Sequence, residues 1–154
     1  MAGGGVFVHF DNISGKKAEV YVDTEVHNSG KRTRTVAVET VLVDAGDVPV
    51  KRVSQQVKLQ AGESKTVRQR FAVRNPKLWS PDSPYLYRIQ SRVKAGHEVL
   101  DGGVTRVGIR KAEFKGKDGF WLNGKPFGQL VGANRHQDFA YVGNAPVSYT
   151  HLRA

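Results

Sequence analysis

The sequence predicts an all-β protein in which two sheets of short strands pack face to face. Three observations predict it. Apolar residues recur at every second position in run after run, the period of a strand with one buried face. Clusters of Gly, Asn, Asp and Pro interrupt those runs at short intervals. No segment carries the apolar stripe of an amphipathic helix.

The elements follow in order. Val6 to Phe10 supplies a first strand or a lead-in from a preceding domain. In the next run Ala18, Val20, Val22, Thr24 and Val26 share one face, and Glu19, Tyr21, Asp23 and Glu25 share the other. His27-Asn28-Ser29-Gly30 then turns the chain, with Asn and Gly tolerating positive φ. Arg34 to Asp44 is rich in Val and Thr, with Val36, Val38, Thr40 and Leu42 expected inward. Ala45-Gly46-Asp47 breaks it. Val50 to Leu59 is more polar, which suits a sheet edge. After the turn Gln60-Ala61-Gly62-Glu63, Thr66 to Val73 points Val67, Phe71 and Val73 inward and Arg68 and Arg70 outward. Asn75-Pro76 stops that strand, and Pro81 and Pro84 keep the next segment irregular. Tyr85 to Val93 follows, with Tyr85, Tyr87, Ile89 and Val93 on one face. Ala95-Gly96 leads to the last strand, Glu98 to Leu100 and Val104 to Ile109, with a bulge expected at Gly102-Gly103. About seven strands in ~105 residues match an immunoglobulin-like sandwich in size. The inter-sheet cysteine pair of antibody domains is absent, because the chain has no Cys.

Composition narrows the function classes. The 154 residues are 39% hydrophobic and 25% charged, ordinary values for a folded soluble chain. No apolar run reaches the ~18 residues of a membrane span, so no membrane partner is expected. The start, MAGGGVFVHF, has no basic n-region, so no signal peptide is visible. Cytoplasmic, periplasmic and secreted locations all remain compatible. The lack of Cys excludes disulfides, thiolate nucleophiles and Cys-based metal sites. His9, His27, His97, His136 and His151 are scattered without ligand spacing, so no metal site is expected. The net charge of +10 fits a nucleic-acid binder, a solvated basic surface or a groove filled by an acidic partner domain. The pairs Arg32/Arg34, Arg68/Arg70 and Arg88/Arg92 alternate as outward strand positions do, which favours the solvated surface. No nucleic-acid recognition motif is present, and no nucleic-acid partner is expected.

From Ala112 the pattern changes. Lys115 to Gly119 is a polar turn. Phe120-Trp121-Leu122 and Pro126-Phe127 flank Asn123-Gly124, a dipeptide suited to a type I′ hairpin turn. Gln129 to Ala133 is a short apolar run ending in small residues, and Asn134-Arg135-His136-Gln137-Asp138 follows at once. That order suits a barrel strand delivering polar groups to its C-terminal mouth. It equally suits a last strand running into a surface loop.

Four segments bear on that choice: NPKLWSPDSPYLY (Asn75 to Tyr87), VGIR (Val107 to Arg110), FWLNGKP (Phe120 to Pro126) and GANRH (Gly132 to His136). In this order and at these distances they resemble glycoside hydrolase family 2, across most of Asn12 to Ala145. The resemblance implies an immunoglobulin-like sandwich at 12–111, preceded at 1–11 by a lead-in from a missing sugar-binding jelly roll. Residues 112–146 would be the hairpin and first strand of an incomplete (β/α)₈ barrel. The tail 147–154, VSYTHLRA, does not resemble the family and reads as adapter-derived sequence.

By the same resemblance His136 hydrogen-bonds substrate hydroxyls, while Asn134 and Arg135 shape the strand end. Gln137 departs from the Glu of other branches. Trp79 and Trp121 read as core or interdomain packing, with a sugar-stacking platform as the alternative. Family members are retaining glycosidases, which need two carboxyl groups ~5–5.5 Å apart. Both would lie on later barrel strands, so no catalytic residue is expected here, and Asp23, Glu25 and Glu39 read as solvated charges on outward faces. The chain is thus expected to be an inactive linker from a β-galactosidase-like parent. That parent would act on a carbohydrate, pack its own jelly-roll and barrel domains around the linker, and form an oligomer. No cofactor is implied in the fragment, although the parent would hold a divalent or monovalent cation. The competing reading is a free-standing immunoglobulin-like binding or adhesion module.

Overall fold

The computed structural model describes residues 5–128 together with Leu130 and Gly132. Seven strands form the sandwich: β1 (Val6–Asp11), β2 (Lys17–His27), β3 (Arg34–Val43), β4 (Pro49–Leu59), β5 (Ser64–Arg74), β6 (Tyr87–Ala95) and β7 (Glu98–Val107). One sheet has the order β1-β2-β5 and the other β4-β3-β6-β7. All pairings are antiparallel. A smaller sheet follows, made of β8 (Ala112–Phe114), β9 (Phe120–Leu122) and β10 (Lys125–Gly128) in the order β10-β9-β8. No α-helix occurs among the described residues.

The alternation in the sequence places the core. Ala18, Val20, Val22, Leu42, Phe71, Val73, Tyr87, Ile89, Val107 and Ile109 form one buried cluster. Val26, Val36, Val38, Leu59, Val67 and Val93 form a second. Buried polar residues, Thr24, Thr40, Gln69 and Ser91, accompany the two clusters. The Thr40 hydroxyl donates to Gln69 Oε1 at 2.6 Å, and Gln69 Nε2 donates to the Val38 carbonyl at 2.9 Å. Gln69 thus bridges the two sheets, satisfying groups that would otherwise be costly to bury.

Several expectations shift in detail. Val6–Asp11 pairs residue by residue with β2, from Val6↔Thr24 to Asp11↔Glu19. Of the two roles open to that segment, the pairing shows a sandwich strand. The polar β4 is an edge strand, as its composition predicts. The β7 bulge sits at Leu100, where the register steps from Val93↔Asp101 to Lys94↔Val99. Gly102 and Gly103 instead pair in register with Arg92 and Ser91. A Cβ on Gly102 would lie 3.0 Å from the Ser91 carbonyl oxygen, so this glycine serves a close strand approach. Tyr85 precedes β6 but still packs against the first cluster.

In the hairpin Asn123 and Gly124 have φ of 52° and 79°, the left-handed pair that a type I′ turn requires. The apolar run expected as a barrel strand, Gln129 to Ala133, lies outside the described residues except for Leu130 and Gly132, neither of which is in a strand. The described residues therefore show the hairpin and no barrel strand.

Candidate functional site

The sequence-predicted substrate contacts, Asn134, Arg135 and His136, lie outside the described residues. What the structure builds is the joint that would lead to them, where the end of the sandwich meets the small sheet.

Trp79 is the hub of that joint. Its backbone N–H donates to the Ile109 carbonyl at 2.8 Å. Its side chain packs against Gly108, where an added Cβ would fall 2.9 to 3.0 Å from the tryptophan Cγ, Cβ and Cδ1. Only glycine leaves room for that contact. The Arg110 guanidinium sits 5.1 Å from the Trp79 ring centroid, within cation–π range. The tryptophan therefore packs between two residues of the VGIR segment, and both sequence motifs find their use in one contact.

Asn123 then fastens the hairpin. Its side-chain Nδ2 donates to the Trp79 carbonyl at 3.0 Å. Its Oδ1 accepts from the Lys111 N–H at 3.0 Å, and its own N–H donates to the Lys111 carbonyl at 2.8 Å. One residue thus makes the tight turn and locks it to the sandwich. Its neighbour Leu122 is buried. Trp121 is occupied locally: its indole N–H donates to the Asp118 carbonyl at 3.2 Å, and Lys115 Nζ lies 3.7 Å over its ring. Each tryptophan ring thus has a cation of this chain over it.

Of the three charges expected as solvated, Glu25 is exposed, while Asp23 and Glu39 are paired. Glu19 is buried and accepts from Lys17 at 2.8 Å, Asn12 at 3.1 Å and Arg70 at 2.6 Å. Those bonds hold its carboxyl at about 2, well below the ordinary 4.5. Arg68 grips Asp23 with two bonds of 2.8 and 2.7 Å, which lowers the Asp23 pKa. Glu39 points outward but is covered, 8% exposed, by Lys94 at 2.8 Å and Arg52 at 3.7 Å. Pairing with Lys94 lowers its pKa. The outward face of β3 is therefore less solvated than its sequence implies, because the stems of neighbouring cations lie across it. Arg68, Arg70 and Arg88 all sit in ion pairs rather than in a free cationic stripe. Among the described residues no group of three or more His, Cys, Asp or Glu is placed to hold a metal ion.

Sequence reasoning missed the Asn123 clamp and the Gly108–Trp79 contact. The family motifs flagged those residues, but nothing in their spacing shows that they touch.

Fold and joint together define a β-sandwich module with a hairpin docked on one end. The chain belongs to the glycosyl hydrolases family 2, whose model matches residues 5–110. Among curated relatives, a beta-galactosidase of Thermoanaerobacter pseudethanolicus is 33% identical over 140 residues, covering 91% of this chain and 18% of that protein. A beta-glucuronidase of Formosa agariphila is 31% identical over 121 residues, covering 79% of this chain and 12% of that protein. Among solved structures, a putative beta-galactosidase from Bacteroides fragilis superposes with a TM-score of 0.87 at 30% identity, covering 98% of this chain and 22% of that one. The chain spans less than a quarter of the length of each of these relatives.

Proposed function

We propose that this chain is the immunoglobulin-like linker and barrel entry of a retaining β-glycosidase of β-galactosidase type. The observation that carries this reading is the family match across the whole sandwich, at less than a quarter of the relatives' length. In this reading the sandwich, from β1 to Arg110, spaces a preceding sugar-binding domain from the catalytic barrel. Residues 112–146 begin that barrel, and the tail 147–154 takes no part. His136 hydrogen-bonds a substrate hydroxyl, and Asn134 and Arg135 shape the strand end around it. The two carboxyl groups of a retaining mechanism, ~5–5.5 Å apart, come from barrel strands beyond this chain. A cation bound by the parent would be held there too.

A second reading, a β-glucuronidase, is favoured by the Formosa agariphila relative. It is favoured also by a Bacteroides uniformis beta-glucuronidase structure, which superposes with a TM-score of 0.84 at 28% identity.

The test assays two proteins, the 154-residue chain and the longer polypeptide that contains residues 1–146, on chromogenic β-galactoside and β-glucuronide. The longer polypeptide is expected to turn over the galactoside, and the short chain neither. Turnover by the short chain would end the linker reading. Preference for the glucuronide would move the substrate to the second reading. In the longer polypeptide His136→Ala is expected to lower kcat/KM about ten- to hundredfold, the worth of a substrate hydrogen bond.

A further inference from the structure

Asn123 and Gly124 carry a chemistry that their structural role does not use. Of the six asparagines in the chain, only Asn123 is followed by glycine. Glycine has no side chain to shield its amide nitrogen. That nitrogen can attack the asparagine Cγ and close a five-membered imide, which is why such asparagines are thermolabile. Gly124 is exposed at the tip of the hairpin, and nothing lies within 4 Å of where its Cβ would stand. Its N–H has no hydrogen-bond partner among the described residues. The nucleophile is therefore unengaged and open to water.

The electrophile is held back. Asn123 Nδ2 is bound to the Trp79 carbonyl and Oδ1 to the Lys111 N–H, both at 3.0 Å. Both ends of the carboxamide are thus anchored outside the turn, and Cγ must leave both bonds to reach the Gly124 nitrogen. The imide ring also eclipses Asn123 Cβ with that nitrogen about the Cα–C bond. The left-handed conformation of Asn123, with φ at 52°, belongs to a turn that holds this bond in a different rotation. Asn28 shows the contrast. It is buried, its side chain makes four hydrogen bonds, and serine follows it.

We propose that Asn123-Gly124 is a self-modification site gated by its own clamp, and that its deamidation releases the hairpin from the sandwich irreversibly. The step balances with water alone. The Gly124 nitrogen bonds to Asn123 Cγ and gives up its proton. That proton leaves with Nδ2 as ammonia when the Cγ–Nδ2 bond breaks. Water then opens the imide at either carbonyl and leaves aspartate or isoaspartate at position 123. Neither product can rebuild the clamp. A carboxylate has no N–H to offer the Trp79 carbonyl and sets acceptor against acceptor. Isoaspartate also adds a CH₂ to the main chain, which the two-residue turn cannot absorb. An opening of the hairpin, reversible in itself, is thereby converted into a covalent change that persists.

The experiment incubates the 154-residue chain and the isolated peptide 119–129 side by side in mildly alkaline buffer. Peptide-mapping mass spectrometry follows position 123. The mass gain of deamidation separates it from isomerisation at Asp101-Gly102 and Asp118-Gly119, which changes no mass. The folded chain is expected to convert at least about tenfold more slowly than the peptide, because reaction waits for local opening. Leu122→Ala removes the buried side chain of the hairpin and should speed conversion at least about threefold, toward the peptide's rate. Should that variant fail to fold, the wild type in urea below the sandwich midpoint, compared with the peptide in the same urea, makes the same measurement. Equal rates in chain and peptide would overturn the gate. An intact position 123 in the opened hairpin, while the peptide converts, would overturn the site. The modified chain, separated by its lower positive charge, should lose amide protection in β9 and keep it in β2, β3 and β6. Unchanged β9 protection after modification would overturn the release.

Discussion

Gly108 is a residue whose identity follows from one contact. The Trp79 ring occupies the space where any Cβ would go. Gly108→Ala should therefore destabilise the chain by about 1–3 kcal/mol through overpacking, measured by urea unfolding. In a Trp79→Ala background the same substitution should cost much less, since the clash is gone. Equal costs in both backgrounds would show that the glycine is required for another reason. Asn123 separates turn from clamp in the same way. Asn123→Gly keeps the left-handed turn and the backbone bond to the Lys111 carbonyl but deletes the side-chain bonds to the Trp79 carbonyl and the Lys111 N–H. It should cost about 1–3 kcal/mol, largely because the Trp79 carbonyl and Lys111 N–H lose their partner. The turn itself was legible in the Asn-Gly dipeptide. The clamp was not, because it depends on where two distant backbone groups arrive.

At the scale of elements, burial alternation marked most strands and their inner faces correctly, including Thr24 and Thr40. It failed along the second half of β3, although β2 and β6, which also have two neighbours, keep their alternation. β3 is flanked by β4 and β6, and its Val41-Leu42-Val43 run is buried on both faces. The uninterrupted apolar run was the available signal for a doubly covered strand. Charge pairing was illegible for a related reason, since it depends on register. Asp23 stands directly opposite Arg68, and Tyr21 opposite Arg70, so the β2–β5 outer face becomes a ladder centred on Glu19. This ladder has a pH signature. Glu19 ionises at about 2 when folded against an ordinary 4.5. A depressed carboxylate stabilises the fold above its unfolded pKa and loses that contribution as pH falls toward the folded value. The urea midpoint should thus be level on the neutral side of 4.5 and decline between there and about 2. Glu19→Gln should lower the neutral midpoint and flatten the decline. A variant with an undiminished acid decline would remove Glu19 from the account.

Across the whole molecule, stability is unevenly distributed, and the joint is where the two levels meet. The sandwich holds two buried apolar clusters bridged by Gln69. The small sheet has strands of only three or four residues, and Leu122 is its single buried large apolar side chain among the described residues. A sheet of that size has little independent stability, so its persistence depends on the sandwich through Asn123. Amide exchange should resolve this into two tiers. Amides along β2, β3 and β6 should exchange only on global unfolding. Those of β9 should open at a lower free energy, and Asn123→Ala should lower that opening energy further while the sandwich amides shift much less. Matching shifts in both tiers would mean that hairpin and sandwich unfold as one unit. Retained β9 protection in Asn123→Ala would mean that the small sheet stands without its clamp, and the orientation of whatever follows would then have to be set elsewhere.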